Sequence, residues 1–340
     1  MNYDKTYILS NGTKLKNKYM IVDFIGEGGF GITYKCQDIL FNTYVAIKEF
    51  YPSGYANRNI YKSSEVTITY EESHRFFLEW ERKFFEEAKI LAQCSDAPSI
   101  VKVFDFFEEN NTAYIVMEYL DGITLSQYLK TYGVFKPDDL IDRMIPIMDG
   151  LSIIHGKNLI HRDISPDNIM MLTDGSFVLY DFGSSRMFGG DKSLSVMLKK
   201  GYSPEEQYRS KGKQGPWTDV YSLCATMYAC VTGHRPPDAM DRIVADRLIT
   251  PYNRGIYMLP FQEQAILKGM SVRAEDRFRN VNDLKKALLG ISSGVMSGKL
   301  KVIIILSLVM LAMILIILMP IIIISIWKIR RKIWKKIQVI

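Results

Sequence analysis

A change of hydrophobic period near residue 120 constrains this chain more than any single residue does. Tyr19 to Ile25, Ile32 to Gln37, Tyr44 to Phe50, Ile100 to Phe107 and Thr112 to Glu118 are rich in β-branched and aromatic residues, with Gly or Asn turns between several of them. Between the third and fourth runs lies Glu71 to Gln93, dense in Glu, Phe, Lys and Leu at helical spacing. After Leu120 the pattern becomes helical, clearest at Thr124 to Tyr132, Pro137 to His155, Thr218 to Thr232, Gln262 to Met270 and Val281 to Leu289. Two short β-like pieces, Ile169 to Leu172 and Phe177 to Tyr180, flank the Asp174-Gly175 turn. The expected class is α+β: a β-rich N-lobe with one helix, hinged to an α-rich C-lobe.

Charge excludes one class of function. Eight of the 43 Lys and Arg lie in residues 299 to 340, which hold no Asp or Glu, leaving 35 basic against 37 acidic residues elsewhere. The main domain is nearly neutral, so no nucleic-acid partner is expected. Cys36, Cys94, Cys224 and Cys230 show neither CxxC spacing nor a zinc-like interval to His, and read as reduced, mostly buried thiols. Met1 to Leu9 is polar, without the apolar core of a signal peptide.

Gly26-Glu27-Gly28-Gly29-Phe30-Gly31 has GxGxxG spacing, which alone is weak. A dinucleotide fingerprint opens a helix, whereas Ile32 to Cys36 continues as a strand, so the glycines form a hairpin lid whose backbone can approach phosphate. In Val45-Ala46-Ile47-Lys48 the lysine is costly to bury without an anion, and it should face phosphates and a carboxylate. Glu87 is its expected partner from the helical run, with Glu86 outward. His161-Arg162-Asp163 is followed five residues later by Asn168, and Asn168 thirteen residues later by Asp181-Phe182-Gly183. Asn168 and Asp181 offer hard oxygen ligands for Mg²⁺, with Mn²⁺ as the alternative ion. Asp163 can orient a hydroxyl and accept its proton.

This ordered set resembles the eukaryotic-type protein kinase superfamily over roughly Tyr19 to Leu289, and its wording is similar to bacterial membrane-anchored Ser/Thr protein kinases. The resemblance implies a bilobal protein kinase fold that uses ATP to phosphorylate protein substrates. It also implies an ATP site built from Ile25, Gly26, Gly28, Gly31, Thr33, Ala46, Lys48, Met117, Glu118, Leu120 and Met170. Met117 takes the gatekeeper place, and Thr33 stands where valine is usual. Glu206 is expected to pair with Arg277, and Asp219 to support the catalytic loop from beneath. Ser165 departs from the family, which usually has lysine two residues after the catalytic Asp; Lys199 stands where the family has threonine. An exchange of the two would let Lys199 supply the cation missing at Ser165. The competing readings are a solvent-facing Lys199, a nucleotide-binding scaffold without transfer, and a small-molecule kinase. Ser193 and Ser195 are the autophosphorylation candidates.

Residues 1–18 read as an extension, 19–290 as the kinase domain and 291–301 as a Ser/Gly-rich juxtamembrane linker. Val302 to Trp327 contains 26 residues without a charge, about 39 Å as a helix, enough to cross a bilayer core of about 30 Å. Residues 328–340 form a basic tail. Its six basic residues favour the cytoplasm, where ATP also places the kinase domain, and one straight span cannot satisfy both. A single-pass cell-membrane anchor is the reading adopted, with a re-entrant turn at Pro320 as the alternative and membrane lipid as a partner.

Overall fold

The computed structural model describes residues 6–182, 186–187, 198–209 and 212–291. Lys14–Leu15 (β1), Tyr19–Gly28 (β2), Gly31–Asp38 (β3), Thr43–Phe50 (β4), Val103–Glu109 (β7) and Thr112–Glu118 (β8) form one antiparallel sheet in the order β1-β2-β3-β4-β8-β7. The hairpin strands Ala56–Asn57 (β5) and Thr67–Ile68 (β6) precede the helix His74–Ala92 (α1). That helix buries Phe77, Trp80, Phe84, Ala88 and Leu91, the apolar stripe that its spacing dictates. Phe50 of β4 packs against Phe77 and Phe84 at ring distances of 5.1 and 5.5 Å.

Alternation divides the sheet's chemistry between two faces. Thr33 opposes Lys48, Lys48 opposes Ile115 and Ala46 opposes Met117, so these residues share the face that α1 covers. Glu49, one residue on, points the other way with its neighbour Tyr114. There Arg58 Nη1 and Nη2 reach Glu49 Oε1 and Oε2 at 2.5 and 2.8 Å, while Tyr34 and Tyr114 donate to the same carboxylate at 2.9 and 2.6 Å. Both charged side chains are fully buried, and the carboxylate is satisfied on every side.

The second lobe starts with Gly122–Thr124 (β9) and the helices Leu125–Tyr132 (α2) and Pro137–Gly156 (α3). Thr124 caps α2 through a reciprocal bond with Gln127. Leu159–Ile160 (β10), Ile169–Leu172 (β11), Phe177–Leu179 (β12) and Arg186–Met187 (β13) follow, with β11 between β12 and β9 and β10 paired to β13. Pro216–Thr232 (α4) is buried along nearly its whole length, and Ala239–Val244 (α5), Pro260–Gly269 (α6) and Val281–Leu288 (α7) pack around it. The four cysteines are buried and unpaired.

This is the β-rich and α-rich pair of lobes expected from the sequence. Three details differ. The helix of the first lobe begins at His74, after a single 3-10 turn over Glu71–Ser73; β7 begins at Val103, because Ile100 instead bridges Leu179. Residues 6–18 are not a separate extension: β1 pairs with β2, and Leu9 and Leu15 are buried in the core. No helix among the described residues is long and apolar enough to cross a membrane. The apolar run 302–327 and the basic tail lie outside the described residues, as do Gly183, Ser193 and Ser195.

Candidate active site

The glycine turn joins β2 to β3. Ile25 lies at a register shift between Phe24 and Gly26 and is half exposed. Gly26 and Gly28 have open space where a Cβ would stand, but a Cβ on Gly31 would collide with the Glu49 carbonyl oxygen. Gly31 is therefore required for strand packing, and the first two glycines leave the backbone open to a ligand. Below the turn, the paired residues Thr33, Ala46, Lys48 and Met117 line one sheet face. Glu118 and Leu120 follow at the junction between the lobes and are partly exposed, as is Met170 on β11.

Lys48 is largely buried and reaches Asp181 Oδ1 at 2.5 Å. Burial pulls its pKa down, but the charges of Asp181 and Glu87 outweigh this and the net shift is upward. The direct ion pair is thus with Asp181, while Glu87, half-buried on α1, acts on Lys48 through its field. Glu86 faces outward and pairs with Arg82 one turn back.

The loop between β10 and β11 gathers the remaining groups. Asn168 Nδ2 donates to the Asp163 carbonyl at 2.8 Å and to Asp163 Oδ2 at 2.9 Å. These bonds fix the amide with Oδ1 as its acceptor end. Lys199 Nζ donates to Ser165 Oγ at 3.0 Å and lies 3.3 Å from Asp163 Oδ1. The two departures at the catalytic loop, Ser165 and Lys199, are therefore in contact, and Lys199 also reaches Asp163. Burial pushes the Asp163 carboxyl up, against the pull of Lys199 and His161.

Asp219 on α4 builds the loop's floor. Its carboxylate accepts from the backbone N–H groups of His161 and Arg162 at 2.8 and 2.9 Å and faces His155 Nε2 at 2.8 Å. Burial alone would push this carboxyl up, but the His155 contact and the Arg162 N–H hold it below its ordinary value. Arg162 and Asp181 both adopt left-handed backbone, with φ of 69° and 61°, and at Arg162 the N–H donated to Asp219 helps hold it. His161 Nδ1 accepts from Asp163 N, Nε2 faces the Tyr180 carbonyl, and the ring packs 4.4 Å from Phe182. Burial there lowers the pKa of His161. Glu206 takes a bidentate pair from Arg277 at 2.7 and 3.0 Å, with Thr218 Oγ1 as a third donor.

Sequence reasoning missed His155, whose signal was a lone histidine at a helix end, and Gln207, which donates to the Arg162 carbonyl at 2.8 Å. Neither lies in a recognisable motif; only the folded loop shows what they support. Among the described residues no three acidic, His or Cys side chains cluster to hold a metal unaided. Asp181 and the Asn168 amide oxygen nevertheless suit a hard cation that takes its remaining ligands from water and phosphate.

Two lobes around a glycine turn, a buried lysine and an Asp/Asn loop are the arrangement of the protein kinase fold. The chain belongs to the protein kinase domain family, whose model matches residues 19–264. It is 28% identical over 292 residues to a probable serine/threonine-protein kinase of Clostridium acetobutylicum, covering 83% of this chain and 41% of that protein. It is also 31% identical over 230 residues to serine/threonine-protein kinase PrkC of Bacillus subtilis, covering 67% of this chain and 32% of the relative. PknA of Nostoc sp. shares 29% identity over 82% of this chain and 48% of its own length. The chain thus spans from 32% to 48% of the length of these curated relatives. Among solved structures, the apo form of PpkA-294 superposes with a TM-score of 0.71 at 29% identity, covering 83% of this chain and 99% of that one.

Proposed function

We propose that the chain transfers the γ-phosphoryl group of ATP to serine or threonine hydroxyls of protein substrates at a membrane. The observation that carries this reading is the contact of Lys199 with both Ser165 and Asp163. It places a cation beside the candidate base, where the usual lysine is missing. A scaffold that had lost transfer would have no need to keep that charge.

In this reading Asp163 orients the substrate hydroxyl and accepts its proton as the oxygen attacks the γ-phosphorus. The bond from phosphorus to the β–γ bridging oxygen breaks, and ADP leaves. Lys199 and Lys48 place positive charge beside the transferring group, which costs no reorganisation because both are already held by carboxylates. Asp181 and Asn168 would hold Mg²⁺, or Mn²⁺ in its place, and the ion would neutralise phosphate charge. Ala46 and Met170 would sandwich adenine, with Glu118 to Leu120 offering backbone bonds at its edge. Residues 302–327 would anchor the chain as a single span, with the kinase domain on the cytoplasmic side and lipid as its neighbour. Ser193 and Ser195 are the proposed sites of autophosphorylation.

The test is transfer of labelled phosphate from ATP with Mg²⁺ by the full chain in detergent, beside Asp163→Asn. Labelled phosphoserine or phosphothreonine is expected with the first and not with the second. No label on the chain itself or on generic protein acceptors would overturn the reading.

A further inference from the structure

The glycine turn is held from two sides by contacts that phosphoryl transfer does not use. On one side Tyr7 Oη donates to Glu27 Oε2 at 2.6 Å. Tyr7 is itself fixed: its carbonyl accepts from Arg58 Nε and Nη2 at 2.7 and 2.5 Å, and its ring stacks on Tyr51 at 5.6 Å. Arg58 is locked in turn by the buried carboxylate of Glu49. A continuous set of contacts therefore runs from the buried ion pair on the outer sheet face to the side chain of Glu27.

On the other side Phe30, at the tip of the turn, meets Trp80 edge to face at 5.8 Å and 84°. Trp80 is buried on α1 and wedged from behind by Tyr55 at 4.8 Å. Between these two holds, Tyr51 N and Ser53 N donate to the Phe30 and Gly29 carbonyls, each at 3.0 Å. The same Trp80 sits seven residues before Glu87, about two turns along α1.

Ordering a glycine-rich segment around a ligand costs backbone entropy, and that cost is avoided where the segment is already ordered. We propose that Tyr7 and Trp80 are positioning residues for the nucleotide triphosphate, clamping the Gly26–Gly31 turn in its binding shape and tying it to the helix that carries Glu87. The inference rests on the nucleotide site proposed above and adds residues outside it. Neither side chain touches the phosphates; each acts through Glu27 or Phe30.

The clamp acts on the phosphate end of the nucleotide and not on its base, which sets the readout. Calorimetry on the full chain in detergent compares MgATP with adenosine, which lacks phosphates, for the native chain and for Tyr7→Phe, Trp80→Leu and Trp80→Phe. Tyr7→Phe keeps the ring and the carbonyl, so the anchoring of Arg58 survives. Tyr7→Phe and Trp80→Leu should each weaken MgATP by about 3- to 10-fold, the worth of one lost contact, and leave adenosine unchanged. Trp80→Phe should recover most of the loss. Unchanged MgATP affinity, or parallel losses for MgATP and adenosine, would overturn the clamp and leave the nucleotide site standing. A native chain that binds neither ligand would overturn both.

Discussion

Replacing Lys199 with alanine removes the cation at the catalytic loop while leaving Asp163, Asn168 and Asp181 in place. Its size can be worked from the contacts: Nζ lies 3.3 Å from Asp163 Oδ1, and the group attacked by an Asp163-oriented hydroxyl is the next shell out. A unit charge about 5 Å from the transferring phosphoryl at an effective dielectric of about 20 is worth roughly 3 kcal/mol. The Lys199 side chain is 28% exposed, so screening leaves about 1.5–3 kcal/mol, or roughly a 10- to 150-fold loss of turnover. The loss should fall on kcat, with the KM for ATP nearly unchanged, because the charge acts mainly as the phosphoryl moves. Steady-state phosphorylation of a generic acceptor, with the exposed neighbour Lys200→Ala as control, measures it. The paired change Ser165→Lys with Lys199→Thr restores the family arrangement and should recover most of the activity. Equal, small losses in Lys199→Ala and Lys200→Ala would refute the exchange of roles between Ser165 and Lys199.

Arg277→Ala strands the buried Glu206 carboxylate and should cost about 3–5 kcal/mol, read as a fall in melting temperature that Arg277→Met with Glu206→Met largely reverses. Asp219→Ala strips an acceptor from two backbone N–H groups and from His155; it should cost about 3 kcal/mol or more and abolish transfer with the other site residues intact. Burial and the neighbouring Glu108 push the Glu81 carboxyl up to about 7. The folded state therefore binds this proton more tightly than the unfolded chain, and its contribution to stability is present below about pH 4 and lost as pH rises through 7. Glu81→Gln should raise the melting temperature at pH 8 and leave it unchanged at pH 4; the same rise at both values would assign the effect to something other than charge.

The parts of the fold legible in the sequence are those in which one local rule decides. Runs of β-branched and aromatic residues bounded by Gly or Asn turns placed the strands, and the glycine turn placed the hairpin. The spacing from Asp163 to Asn168 and Asp181 placed three groups of the candidate site, because that motif carries its own loop geometry. What could not be read depends on contacts across long separations. Lys48 pairs directly with Asp181, 133 residues away, while the expected Glu87 acts through its field. His155 finds its role only through Asp219, 64 residues on. Residues 1–18 read as an extension, since nothing local distinguishes a strap from a tail. Arg58 carried no motif at all, and an arginine in a polar loop is ordinarily solvated.

The sheet's outer face has a practical consequence for anyone cutting this gene. Similarity to the family begins at residue 19, and a fragment started there is the natural choice for expression. Such a fragment deletes β1 and the Tyr7 carbonyl, takes the Leu9 N–H from Tyr34, and opens the pocket that held Leu9 and Leu15. It leaves a buried guanidinium two hydrogen bonds short and an apolar patch facing water. The unit that folds is wider than the unit that is recognised, and a soluble fragment has to start ahead of Thr6.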